Sequence, residues 1–286
     1  MPEQLGNRST NSLASSMLAG FLCAGAAHVP ALGQKAASPD FSANNTGWVA
    51  IGTDWTAMPG SPPPVKQDPA HRYVPNNTGG QPTFRMADTN NTNLTEFAKA
   101  SLKKANDEVL AGKPMWSRSS RCWATGVPGF LLTPAQPMYF IQTPQQVRMI
   151  AQHDNDVRRI YLNVPHSAKV EPSWYGESVG DYEGDTLVVD TIGLNDKTFV
   201  DNFRTPHSEK LHVVERYRLI DNGDRLEVEV TMEDPAVFIK PLHVSHRWRR
   251  VEHPIEEWRC AAGESNNPFT FARDADPLPT AVKPDF

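Results

Sequence analysis

The densest run of ionisable side chains set among apolar ones is Asn195-Asp196-Lys197-Thr198-Phe199-Val200-Asp201, closely followed by Pro206-His207-Ser208. A lysine beside carboxylates can stabilise an oxyanion, and a neighbouring Asp or His can carry a proton. Asp196, Lys197, Asp201 and His207 are therefore candidate catalytic residues. The structural alternative is that Asp196 caps a turn, Lys197 pairs with Asp201, and His207-Ser208 braces the next strand. Alternation supplies two more candidates. Glu215 shares a strand face with Leu211, Val213, Tyr217 and Leu219, so it should point inward, where a carboxylate needs a partner or a chemical task. Lys197, Arg158 and Arg247 are the candidate partners. His246 shares a face with Leu242, Val244 and Trp248. An imidazole there suits general acid–base chemistry, or it is a core histidine bonded to a carbonyl.

The candidate ligand contacts are Arg158, Tyr161 and His166 in one stretch, with Trp174, Tyr182 and Trp248 supplying aromatic surface. Tyr161 can donate to a ligand oxygen, or belong to the core with a wet hydroxyl. His243 and His246 stand three apart, and on a strand such positions face opposite ways. No metal site is expected from them. P-loop, Rossmann glycine and HExxH patterns are absent, so no cofactor is expected. No activated nucleophile is expected either, which favours lyase or isomerase chemistry over acyl hydrolysis.

These residues need a scaffold, and the hydrophobic period identifies it. Leu94 to Ala111 repeats apolar residues at helical spacing, with Asn93 to cap it and Gly112 and Pro114 to stop it. From Phe130 onward the period becomes two. Arg225 to Glu233 alternates Leu226, Val228, Val230 and Met232 with Glu227, Glu229, Thr231 and Glu233, the pattern of a half-buried antiparallel strand. Asp221-Asn222-Gly223-Asp224 before it reads as a hairpin turn, and Glu183-Gly184-Asp185 as another tight turn. Strands are also expected at Met138–Gln142, Val147–Gln152, Arg158–Val164, Thr186–Thr191, Leu211–Ile220 and Leu242–Val251. About eight short strands and one long helix favour an antiparallel barrel or sandwich.

The stretch from Pro172-Ser173-Trp174-Tyr175-Gly176 through Tyr182-Glu183-Gly184-Asp185-Thr186-Leu187-Val188-Val189-Asp190-Thr191 carries a resemblance. It continues through Gly193-Leu194-Asn195-Asp196-Lys197-Thr198, Pro206-His207-Ser208 and Glu215-Arg216-Tyr217. It resembles a family of secreted bacterial β-rich proteins of poorly characterised activity, which reads WEGDTLVV-T-GFNDKTWLD, then HPHS, then ERF. Tyr182 and Phe199 replace the common Trp, Thr205 replaces a common His, and His246 stands where the family is often apolar. Cys122 with Gly126-Val127-Pro128, Gln142-Thr143-Pro144, Val157 to Tyr161, and Cys260 to Asn267 extend the likeness over residues 94–267. It implies an exported, lipocalin-like (calycin) barrel and supports a Cys122–Cys260 disulfide. It transfers no activity.

Of the 286 residues, 28 are Lys or Arg and 33 Asp or Glu, a net charge of −5 with no basic run, so nucleic acid has no electrostatic footprint here. Seven Trp, 12 Phe and six Tyr need burial, which argues against wholesale disorder. The apolar stretch Leu13 to Leu32 is interrupted by His28 and Pro30. Its clean core suits a signal-peptide h-region, with cleavage before Gln34, better than an integral membrane span. Cys23 would leave with it, and in an oxidising compartment Cys122 and Cys260 then form either a disulfide or two buried thiols. The expected organisation is a signal peptide over 1–33, an irregular Pro/Asn-rich arm over 34–93, the barrel with its flanking helix over 94–267, and a tail over 268–286. The functional expectation is a periplasmic or secreted, cofactor-independent lyase or isomerase acting on a small hydrophobic or aromatic molecule held in the barrel. A non-catalytic ligand-binding barrel is the alternative, and homo-oligomerisation is left open. Convergence of three or more of Asp196, Lys197, Asp201, His207, Glu215 and His246 on one cavity would favour the enzyme.

Overall fold

The computed structural model describes residues 38–42, 46–75, 83–113, 123–133, 137–152 and 156–252. The signal peptide, the C-terminal tail and the Cys122–Cys260 pair expected from the sequence lie outside the described residues.

Nine strands close into a mainly antiparallel barrel. They are β1 (Thr46–Ala50), β3 (Met138–Gln142), β4 (Gln146–Ala151), β5 (Asp156–Leu162), β6 (Glu177–Glu183), β7 (Thr186–Ile192), β8 (His212–Ile220), β9 (Arg225–Glu233) and β10 (Leu242–Glu252). The two-residue β2 (Thr56–Ala57) adds to β10 at Val244 and Ser245. Neighbours follow chain order, and β1 closes the ring by pairing with β10 (Trp48 opposite Arg250) and with β3 (Trp48 opposite Met138). The barrel is lipocalin-like, with two departures from the expectation. The arm supplies a wall strand, because Trp48 is fully buried and its Nε1 donates to Phe41 O at 2.8 Å. One pairing is parallel, β5 with β6, joined by a crossover over residues 163–176. Parallel neighbours cannot be joined by a hairpin, so this connection must travel over the barrel wall.

Alternation decides what faces in. β9 buries Leu226, Val228, Val230 and Met232, and β10 buries Leu242, Val244, His246 and Trp248. Trp48, Phe140, Met149, Ile160, Tyr217 and Trp248 pack in the interior, and a cleft of about 10 Å³, about what one water needs, lies beside Trp48 and Trp248. The buried turn Gly129–Leu132 adds Phe130 to this core.

The helix α1 spans Glu96–Leu110 and is capped by Thr95, whose Oγ1 accepts from Ala98 N at 3.3 Å. Asn93, the expected cap, is committed elsewhere: its side-chain amide bonds both Lys240 N and Lys240 O. Among the described residues no helix is long and apolar enough to cross a membrane.

Candidate functional site

Inside the barrel, β5 points Arg158 at Glu215 on β8. Arg158 Nη1 donates to Glu215 Oε1 at 2.8 Å, and Nη2 closes a second bond to Oε2. Nη2 also reaches Thr191 Oγ1 at 2.7 Å and Nε reaches Ser178 Oγ at 3.2 Å. Tyr217 Oη donates to Glu215 Oε1 at 2.8 Å, and the Phe130 ring lies 5.3 Å from the guanidinium carbon. Burial alone would lower the Arg158 pKa, but the adjacent Glu215 carboxylate more than offsets this and raises it. Burial pushes the Tyr217 phenol well above its ordinary range, and the same carboxylate adds to the shift. Of the three partners offered by the sequence, Arg158 takes Glu215; Arg247 bonds Glu227 on the outer wall at 2.5 Å.

The string Gly176-Glu177-Ser178-Val179-Gly180 has the spacing of a nucleophile elbow, against the expectation of no activated nucleophile. The elbow needs a sharp strand-to-helix turn that exposes the serine. Ser178 instead sits within β6, 1% exposed, with its Oγ 2.9 Å from Thr191 Oγ1. It belongs to the polar lining around Arg158.

The segment between β7 and β8 holds the other acid–base candidates. Asp201 is an internal cap: Oδ1 accepts from Phe203 N (2.9 Å) and Thr205 N (3.0 Å), and Oδ2 accepts from Thr205 Oγ1 (2.6 Å). Burial nevertheless raises its pKa. His207 Nε2 lies 2.7 Å from Thr198 Oγ1, and Nδ1 lies 3.2 Å from Ser208 O. Burial lowers its pKa against the pull of Ser208 O, Asp234 and Asp196. Ser208 bonds Asp234, just past the end of β9, rather than the next strand β8. The expected Lys197–Asp201 pair does not form, because the turn occupies the carboxylate; Lys197 is exposed, with Nζ 5.9 Å from the centre of the Trp174 ring. The turn expected of Asp196 is made by Asn195, which accepts from Lys197 N.

His246 lies edge-on to Trp248 (4.9 Å) and Trp55 (6.0 Å). Its Nε2 is buried without a hydrogen-bond partner among the described residues. Burial drops its pKa to about 4, despite a bond to the Asp54 main chain and the Asp54 charge. Each of Asp201, His207 and Glu215 is thus held by its own local partners, rather than by one shared group.

The accessible surface feature lies on the outside. The β5–β6 ladder runs only from Ile160–Ser178 to Leu162–Gly180. Upstream of it, the outward side chains of β5 face the returning crossover across a groove of about 460 Å³. Val157, Arg159 and Tyr161 line it from β5, and Lys169 to Glu171 with Ser173 to Ser178 line it from the returning segment. Two glycines let the crossover lie this close. Gly176 has φ +61°, and a Cβ there would stand 2.3 Å from Ile192 O; at Gly193 (φ +68°) a Cβ would stand 2.3 Å from Val170 Cγ1. Both conformations are costly for residues with side chains. Trp174 packs edge-on against Trp123 at 5.3 Å.

The crossover is tethered by charge. His166 Nδ1 lies 3.0 Å from Glu177 Oε1, and Nε2 lies 2.9 Å from Asp190 Oδ1. His212 Nε2 shares Asp190 through Oδ2 at 3.0 Å. Among the described residues no group of three or more His, Cys, Asp or Glu is arranged to hold a metal ion.

Of the ligand-binding candidates, Tyr161 and Trp174 line the groove, and His166 holds the crossover beside it. Arg158 and Trp248 are interior, and half-buried Tyr182 accepts from Gln142 Nε2 at 2.8 Å. Arg159 and Tyr175, not singled out from sequence, complete the lining; their signal was the outward phase of β5 and the YG turn into β6. Comparison with protein-family models, curated proteins and solved structures finds no match for this chain.

Proposed function

We propose that this chain is a non-catalytic ligand-binding barrel of the periplasm or cell exterior, and that its site is the outer groove at the β5–β6 seam. The observation that carries the reading is a pair of accessible aromatic side chains, Tyr161 and Trp174, lining one groove of about 460 Å³. Tyr161 is 43% exposed. The volume falls in the range of small-molecule sites, which combine apolar walls with a few placed polar groups. Among the described residues, aromatic and aliphatic side chains pack the barrel interior.

The test is calorimetric titration of the purified protein with 2-naphthalenemethanol, a neutral aromatic probe. Saturable binding that weakens about tenfold in Trp174→Ala supports the reading, since a lost aromatic contact is worth about 1–2 kcal/mol. Absence of saturable binding, or binding indifferent to both Trp174→Ala and Tyr161→Ala, overturns it.

One observation favours acid–base catalysis as a second reading: the unpaired Nε2 of His246 beside Trp55 and Trp248. Turnover of a metabolite mixture that disappears in His246→Gln would support it, and turnover unchanged in that variant would remove it.

A further inference from the structure

We propose that the groove selects an aryl carboxylate, with the carboxylate bound by Arg159 and the ring received by Tyr161 and Trp174. This rests on the groove being the ligand site and adds the charge of what enters it.

The argument starts from the charges in the lining. Lys169 is paired with Glu171. Glu177 is taken up by Ser167, whose N donates at 2.7 Å, and by His166. That leaves Arg159, which is exposed and has no acidic partner among the described residues. Directly opposite it on β4 is Arg148, also exposed. Its Nε donates to the neutral amide of Gln146 at 3.1 Å. Like charges directly opposite on adjacent strands are about 4.5–5.5 Å apart at Cβ and repel.

Elsewhere in the barrel the same juxtaposition is compensated. Arg225 on β9 faces Arg249 on β10, but Arg225 Nε has Asp221 Oδ2 at 3.4 Å. Among the described residues the Arg148–Arg159 pair has no such carboxylate, so the positive field at this edge of the groove is open to an incoming anion. A guanidinium fork matches a planar carboxylate in two parallel hydrogen bonds. Tyr161 follows Arg159 by two residues on the same outward face of β5, so a ring attached to the carboxylate meets the aromatic part of the lining. Lys197, beside Trp174, adds a second positive charge near the ring.

The experiment compares 2-naphthoate with 2-naphthalenemethanol by calorimetry at low salt, in wild type, Arg159→Gln and Trp174→Ala. The expected result is about tenfold tighter binding of the naphthoate, as one charged hydrogen-bonded contact implies. Arg159→Gln removes that preference, so that the two probes bind alike in this variant; Trp174→Ala weakens both probes. Equal affinity for the two probes in wild type, or a preference that survives Arg159→Gln, overturns the anion assignment. If both probes still depend on Trp174 in that case, the groove reading stands without it. Failure of both probes to bind overturns both readings.

Discussion

Arg158 and Glu215 meet in a two-bond contact although their strands, β5 and β8, are separated in the sheet by β6 and β7. The contact therefore spans the barrel interior. Removing one partner leaves a buried charge, so Glu215→Gln and Arg158→Met are each expected to cost about 3–5 kcal/mol in urea unfolding. The double variant Arg158→Met/Glu215→Leu should recover most of that loss. Equal damage from the double and single variants would mean that the pair contributes more than mutual neutralisation.

His246 gives a pH dependence with a defined sign. Its folded-state pKa of about 4 lies below the ordinary value of 6.5. The unfolded chain therefore binds the proton first, and stability is lost as pH falls from about 6.5 to about 4. The loss is on the order of 3 kcal/mol, at 1.36 kcal/mol per pKa unit. His246→Leu should remove this part of the acid transition and leave stability at pH 7 unchanged or improved, because it also deletes an unpaired buried nitrogen. Parallel pH–stability curves for wild type and variant would refute this.

Asp201 should behave in the opposite sense. Burial raises its folded-state pKa, so its contribution is fully present below the unfolded carboxylate pKa and declines as pH rises through the raised one. Asp201→Asn keeps an oxygen for the Phe203 and Thr205 amides. Its stability deficit relative to wild type should therefore shrink with increasing pH, read from melting temperatures at several pH values. Asp201→Ala should be the more damaging change, by about 1–3 kcal/mol.

The crossover tether predicts a local acid response. The Glu177 pKa is lowered by Ser167 and His166. For Asp190, burial raises the pKa, but the bonds to His166 and His212 win and lower it. Both contributions are present above the ordinary carboxylate range and are lost as pH falls through the lowered values. Hydrogen exchange over residues 163–176 should accelerate in His166→Ala at neutral pH, after correction for intrinsic rates, while β9 stays protected. Equal protection of the segment in variant and wild type would show that the two glycine contacts suffice to hold it.

Strand phase was legible wherever one face of the sequence is consistently apolar. Glu215 and His246 were assigned inward from their neighbours alone, and both are buried. Two strands gave no such signal. Thr46–Ala50 is short and not alternating, with Gly47 fitted against Pro137 and Tyr139. Glu177–Glu183 buries fully only Ser178, beside Arg158, and Gly180, beside Ile160 and Val188, with Tyr182 half-buried on the same phase. Helical period also overreached: Phe97 and Leu110 are each 59% exposed, since α1 buries only a stripe around Ala98, Leu102 and Asn106. The groove was illegible for a topological reason. It exists because β5 and β6 run parallel, and single residues do not encode which strand a chain will return to.

The pairing of β1 with β10 also sets a timetable for folding. The first wall strand has its principal partner at Trp248–Glu252, so a nascent chain carries Trp48 without its partner until nearly the whole barrel sequence has been made. At about 5–20 residues per second, the roughly 200 intervening residues take some 10–40 s. During that interval Trp48 lacks the β10 strand that covers it, and a holdase that shields Trp48 would have its greatest effect then.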